Sequence, residues 1–304
     1  MLTRLLAFFL ALSAAGTAAA EVRVVASLPA LGAIAREVVG DQGTVATLAP
    51  PTQDPHFVDG KPSMMLLLNK ADLLLHVGLG LEAGWLPPLV TGARNPKIQQ
   101  GQPGNLDAMA LAGPPLEIQV STDRALGDVH AGGNPHFWYD PRRVQQVSEG
   151  IAERLAQIDP PNAAAYRANA AAFREKLAAR IAVWEQAMAP HKGRTIVPFH
   201  KSLAYLEAWL DLRELATVEP LPGIAPSPGH LASLILRMRE VKPAPVVVSE
   251  PWYNRTTART VAEKAGAQLV ILPGDVGGAP GTGDYVAWMD ETLRRLRAGL
   301  EKVE

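Results

Sequence analysis

The sequence predicts an α/β fold: two lobes, each with a mostly parallel sheet covered by helices, joined by one long spine helix. Short β-rich runs alternate with stretches of helical period in both halves of the 304-residue chain, the pattern of strand–helix–strand units. Between the halves, Asp159 to Pro190 carries large apolar residues at Tyr166, Phe173, Leu177, Ile181, Trp184 and Met188, with alanine filling most gaps. That spacing is one helical stripe, and alanine is the best helix former. A helix of this length reaches about 40 Å, enough to cross two lobes. The expected organisation is a signal segment over 1–20, an N-terminal lobe over 21–158, the spine over 159–190 and a C-terminal lobe over 191–304.

Met1 to Ala20 has the form of a secretory signal: Arg4, an apolar core from Leu5 to Ala15, and Ala18-Ala19-Ala20 before Glu21. In the first lobe Val22 to Ser27 reads as a strand, followed by a helix with Leu31, Ile34 and Val38 in phase and Gly40 as its stop. Val45 to Leu48 is a second strand, running out into the proline-rich loop Pro50 to His56. Lys61 to Lys70 is helical, Ala71 to Val77 a strand, Leu81 to Leu89 a short helix and Pro96 to Gln99 a fourth strand. Periodicity fades from Gln100 to Gly133, an expected irregular segment. Asp140 then caps a helix with Pro141 in its first turn and Val144, Val147, Ile151 and Leu155 on its apolar face.

Beyond the spine, strands are expected at Arg194 to Phe199, Leu215 to Glu219, Pro245 to Ser249 and Gln268 to Leu272. Helices are expected at Leu203 to Leu210, Gly229 to Val241, Thr256 to Ala265 and Asp284 to Val303.

Composition narrows the chemistry. A formal charge of −1 and seven scattered histidines offer no basic stripe, which argues against nucleic acid or an anionic membrane as partner. The chain has no cysteine, so disulfides, thiolate ligands and a lipid-bearing cysteine at the cleavage point are excluded. A metal site here must use His, Asp or Glu. In open α/β sheets ligands bind beyond the carboxyl ends of the strands, where His56, His200 and Asp275 each fall; His136 occupies the loop before a helix. Three imidazoles and one carboxylate suit a borderline cation such as zinc.

Several short segments occur in an order that resembles a known family. They are Asp54-Pro55-His56, Lys61-Pro62-Ser63, Ala71-Asp72-Leu73, Gly78-Leu79-Gly80-Leu81-Glu82 with Trp85-Leu86, Pro135-His136-Phe137-Trp138 with Asp140-Pro141, and Phe199-His200. The chain resembles the metal-binding solute receptors of bacterial ATP-binding-cassette (ABC) importers of zinc and manganese. The resemblance implies two α/β lobes with the metal buried between them, His56, His136 and His200 as imidazole ligands, and Asp275 as the carboxylate. Histidine at the third position accompanies zinc receptors and glutamate manganese receptors, so His200 favours zinc, with manganese as the alternative.

The implied function is a periplasmic receptor, monomeric and not an enzyme, that passes one zinc ion to an inner-membrane ABC permease. A secreted zinc-dependent hydrolase and a surface adhesin are the rivals. Two departures stand out: Asn134 replaces the aspartate that often precedes the second ligand, and the His- and acid-rich loop of many zinc receptors is reduced to Asp123, Asp128 and His130.

Other residues carry alternatives. His130 is either a guard of the metal or an exposed loop histidine; His230 is expected on the surface in a first helical turn, His76 in the core and His191 in solvent. Glu250 either holds its loop or is the reserve ligand should Asp275 fail. Gly78-x-Gly80-x-x-Ala83 has the context of a dinucleotide-binding turn, but Glu82 puts negative charge where a pyrophosphate would approach.

Overall fold

The computed structural model describes residues 21–116, 130, 132–221 and 223–303. The signal segment Met1 to Ala20, and Asp123 and Asp128, lie outside the described residues. Two four-stranded sheets, both parallel throughout, form the lobes. The first has the order β2-β1-β3-β4, from β1 (Val22–Ala26), β2 (Gly43–Thr47), β3 (Leu73–His76) and β4 (Asn105–Asp107). The second has the order β6-β5-β7-β8, from β5 (Thr195–Pro198), β6 (Arg213–Glu214), β7 (Val246–Ser249) and β8 (Gln268–Ile271). β3, β7 and most of β1 are buried, as parallel strands covered on both faces must be.

Helices cover the sheets. In the first lobe they are α1 (Pro29–Val39), α2 (Pro62–Lys70), α3 (Leu86–Ala93) and α4 (Pro141–Ile158). Each opens on proline in its first turn, where the missing N–H costs no bond. In the second they are α6 (Ala204–Leu210), α7 (Pro228–Glu240), α8 (Arg255–Ala265) and α9 (Tyr285–Glu301). Asp140 accepts from the Arg142 amide at the start of α4, as its sequence signature requires, and Asp284 caps α9 through the Ala287 amide.

The long helix α5 (Ala163–Met188) is extended at each end by a 3-10 turn. Its buried residues are Tyr166, Ala170, Phe173, Leu177, Ile181, Trp184 and Met188, the stripe expected from spacing. That stripe packs on α4 and α1 of the first lobe and α9 of the second. Lys176 pairs with Glu37 at 2.8 Å on one side; on the other Asp290 accepts from Arg180 and, at 2.7 Å, from the Trp184 indole. Both lobes are therefore fastened to one rigid rod.

Four expectations differ. Pro96–Ile98 is a 3-10 turn and not a strand, because Asn95 accepts from the Lys97 amide and Pro96 has no N–H to give to a ladder. The fourth strand is β4, inside the stretch expected to be irregular, where only Leu106 is buried and two flanking polar residues masked the alternation. The short helix is displaced toward the C-terminus, to Leu86–Ala93. The strand expected at Leu215 to Glu219 is β6 shifted by two residues; beyond it the chain keeps alongside the end of β5 through the amides of Val218 and Glu219. That extension carries Glu219 to the site.

Candidate metal centre

His56 lies in the loop after β2, His136 immediately before the 3-10 turn that leads into α4, and His200 two positions after the end of β5. All three are buried, at 7%, 3% and 3% exposure, and their ligand atoms lie within 4.8 Å of one another. The ring centroids are 5.1 to 5.4 Å apart. The first two come from the N-terminal lobe and the third from the C-terminal lobe, so the triad exists only while the lobes are together.

Each ring is oriented by an acceptor on its Nδ1. Asp54 faces His56 at 2.8 Å, Asn134 faces His136 at 2.9 Å, and Glu219 faces His200. An acceptor at Nδ1 fixes the proton there and leaves the lone pair on Nε2, the state in which imidazole binds a metal. Burial is the largest influence on Asp54 and would raise it, but the side-chain and backbone bonds with His56 and the charges of His56 and His200 together outweigh it and hold its carboxyl below the ordinary range. Burial, then the neighbouring charges of His56, His200 and His130, hold His136 well below the usual imidazole value. It is therefore neutral and ready to coordinate.

Asn134 answers the sequence departure noted above. Its Oδ1 takes the His136 amide at 3.0 Å as well as Nδ1, while its Nδ2 donates to the Lys201 carbonyl at 2.7 Å. A carboxylate could do the first and not the second. Asparagine thus ties the His136 loop to the residue after His200, across the lobes, and Tyr205 reinforces the tie by donating to the Asn134 carbonyl at 2.7 Å.

Asp275, four positions after β8, stands outside the 4.8 Å group. It lines a small cavity of about 10 Å³ together with His56, His136, Glu250, Trp252 and Tyr253. Its amide donates to Pro51 of the other lobe at 3.0 Å, and its Oδ1 accepts from the Val276 amide at 2.6 Å. Burial pushes its carboxyl up to about 7, and burial does the same to Glu250, also to about 7. Glu250 accepts from the Ser202 hydroxyl, on the segment that follows β5.

His130, weighed from sequence mainly as an exposed loop residue, instead sits with its Nε2 3.2 Å from that of His56. Burial lowers it to about 4. Sequence gave little warning, because glycine-rich surroundings normally mean solvent. His191, expected in solvent, is 3% exposed, covered where the chain turns from α5 to β5. His76 bonds Asn105 at 2.9 Å on the β4 side. His230 is in the first turn of α7 and its Nε2 is buried without a partner. Glu82 accepts from the Ser27 hydroxyl at 2.6 Å and the Val77 amide at 2.7 Å, bonds that tie the glycine turn to the ends of β1 and β3.

A buried, pre-oriented imidazole triad between two α/β lobes on a rigid helical rod defines a metal-binding solute receptor. Residues 24–299 match the family described as zinc-uptake complex component A, periplasmic (ZnuA), and the chain belongs to it. It is 31% identical to the high-affinity zinc uptake system protein ZnuA of Paracoccus denitrificans, over 95% of each chain. It is 25% identical to the manganese-binding lipoprotein MntA of Halalkalibacterium halodurans, over 92% of this chain and 89% of that one. A crystal structure of ZnuA superposes with a TM-score of 0.75 at 25% identity, covering 92% of this chain and all of the other. Members of this family are substrate-binding receptors of transporters. Among the described residues no helix is long and apolar enough to cross a membrane.

Proposed function

We propose that the chain captures one zinc ion between its lobes in the periplasm and, as a monomer, delivers it to an inner-membrane ABC permease. The observation that carries the proposal is the buried triad of His56, His136 and His200, each with its Nδ1 on an acceptor. Asp275 is proposed as the carboxylate of the site, set in the wall beside the triad to offset the charge of the ion. Nitrogen donors suit zinc, whereas manganese favours carboxylate and water. Manganese remains the second reading, because relatives of similar identity are named for it.

No reaction on a substrate is proposed. The cavity beside the triad, about 10 Å³, holds about one water and no ester or peptide, which argues against the hydrolase. Export would rest on the segment Met1 to Ala20. The test is titration of chelator-stripped protein with zinc, comparing wild type with His136→Ala and His200→Ala: stoichiometric binding lost in both variants supports the reading, and unchanged binding in either removes that residue from the site.

A further inference from the structure

The three imidazoles are buried, so whatever receives the ion must act at the mouth between the lobes. The chain on both sides of that mouth carries exposed apolar side chains. On the first lobe Phe57, the neighbour of His56, is 58% exposed. On the second, Glu219 faces His200, and the chain beyond it exposes Leu221 at 38% and Ile224 at 40%. Consecutive Cα atoms are about 3.8 Å apart, so Phe57 is one chain step from His56 and Leu221 two from Glu219. A lone exposed apolar residue is ordinary, but apolar side chains gathered beside a functional site mark a contact surface.

The surroundings of these residues are poor in charge. No Asp, Glu, Lys or Arg occurs from Pro220 to Leu236 or from Ala83 to Ala93, although 19% of the chain is charged. The stretch from Ala83 adjoins the His56 loop: a Cβ on Gly84 would lie 3.7 Å from the His56 carbonyl oxygen. Ala83, Gly84, Pro87 and Pro88 are exposed there, as are Pro220 and Pro228 on the other lobe. The exposed charges that follow Phe57 are Asp59 and Lys61, of opposite sign. Proline fixes φ, so both rims are stiff before a partner arrives and lose little freedom when it binds.

We propose that these two rims, Phe57 with the Ala83 to Pro88 stretch on one lobe and Leu221 with Ile224 on the other, are the surface on which the ABC permease docks, and that the permease meets them with apolar and not with charged side chains. The proposal rests on the receptor reading and names the contact that delivery needs. A lipid surface is the weaker occupant, because attachment to an anionic membrane relies on basic residues and neither uncharged stretch supplies one. Salt screens charges and not apolar contacts, so docking should be insensitive to ionic strength.

The test measures binding of the zinc-loaded protein to its permease in nanodiscs, at about 0.05 M and about 0.5 M salt, for wild type, Phe57→Ser, the double variant Leu221→Ser with Ile224→Ser, and Val183→Ser. Val183 is 49% exposed on α5, outside both rims, and controls for the loss of an exposed apolar group as such. Each rim variant should bind the permease at least about ten-fold more weakly, the scale of removing a large apolar side chain from an interface. Val183→Ser should bind as wild type does, all variants should keep wild-type zinc affinity, and wild-type binding should change less than about two-fold between the two salt levels. Rim variants that bind the permease like wild type, or wild-type binding that falls about ten-fold or more with salt, would overturn the proposal. Equal binding to protein-free nanodiscs would overturn it in favour of lipid. Wild type that binds zinc but not the permease would overturn the docking surface together with the delivery step and leave the metal site standing; wild type that binds no zinc would overturn the receptor reading itself.

Discussion

Replacing Asp275 by asparagine should stabilise the metal-free protein while weakening its hold on zinc. Burial raises the Asp275 carboxyl from 3.8 to about 7. The folded state therefore keeps a proton that the unfolded chain releases, and folding stability falls as pH rises from about 4 to about 7. Above that range the full penalty is present, about 4 kcal/mol at about 1.36 kcal/mol per pH unit. Asparagine keeps an oxygen for the Val276 amide and carries no charge, so the penalty vanishes. Thermal unfolding of both proteins from pH 4 to 8 in chelator should show curves that meet near pH 4 and diverge up to pH 7. At a few degrees per kcal/mol, the variant melts higher at pH 8 by several degrees and at most roughly 15 °C. Zinc affinity at pH 8 should fall by about 10–100-fold, the scale of losing an outer partner of a metal site. A melting difference independent of pH, or a variant less stable than wild type at pH 8, would refute the reasoning.

Asn134→Asp keeps the bond to His136 but sets a carboxylate oxygen against the Lys201 carbonyl, 2.7 Å away in the native pair. A lost buried bond of about 1–3 kcal/mol should loosen lobe closure and speed zinc release about ten-fold or more in a stopped-flow chelator chase; an unchanged rate would mean that the bridge does not hold the lobes. Because His136 is held well below 6.5 by burial, the unfolded chain binds its proton first, and this residue's contribution to stability is lost as pH drops below 6.5. Zinc binds the deprotonated ring, so the zinc-induced rise in melting temperature should persist through pH 6.5 and shrink only as pH falls through the lowered His136 value; a rise that already shrinks above pH 6.5 would contradict a neutral, buried His136. Phe173→Ala, at a fully packed position of α5, should cost about 3–5 kcal/mol in urea unfolding, and a cost under 1 kcal/mol would show that the spine does not brace the lobes.

Much of this was legible in the sequence because strong periodicities and rigid residues mark it. The α5 stripe at Phe173, Leu177 and Trp184 repeats one helical face, and the prolines opening α1, α2 and α4 mark where helices begin. Strand β4 was hidden because it is short and its two end residues, Asn105 and Asp107, are polar, with side chains that serve neighbouring loops. His56, His136 and His200 were readable from their places beyond strand ends and before a helix. His130 was not, since its placement depends on the Leu79 turn 51 residues away, a contact without a local signature. The advantage of Asn134 over aspartate was equally hidden, because the Lys201 carbonyl it needs belongs to the other lobe.

The central claim is that three imidazoles from two lobes hold one zinc ion. Competitive calorimetry on chelator-stripped protein, titrated with zinc and separately with manganese, tests it most directly. One zinc per chain is expected, bound far more tightly than manganese, with binding abolished in His200→Ala. Manganese bound as tightly as zinc, or zinc binding that survives loss of His200, would contradict it.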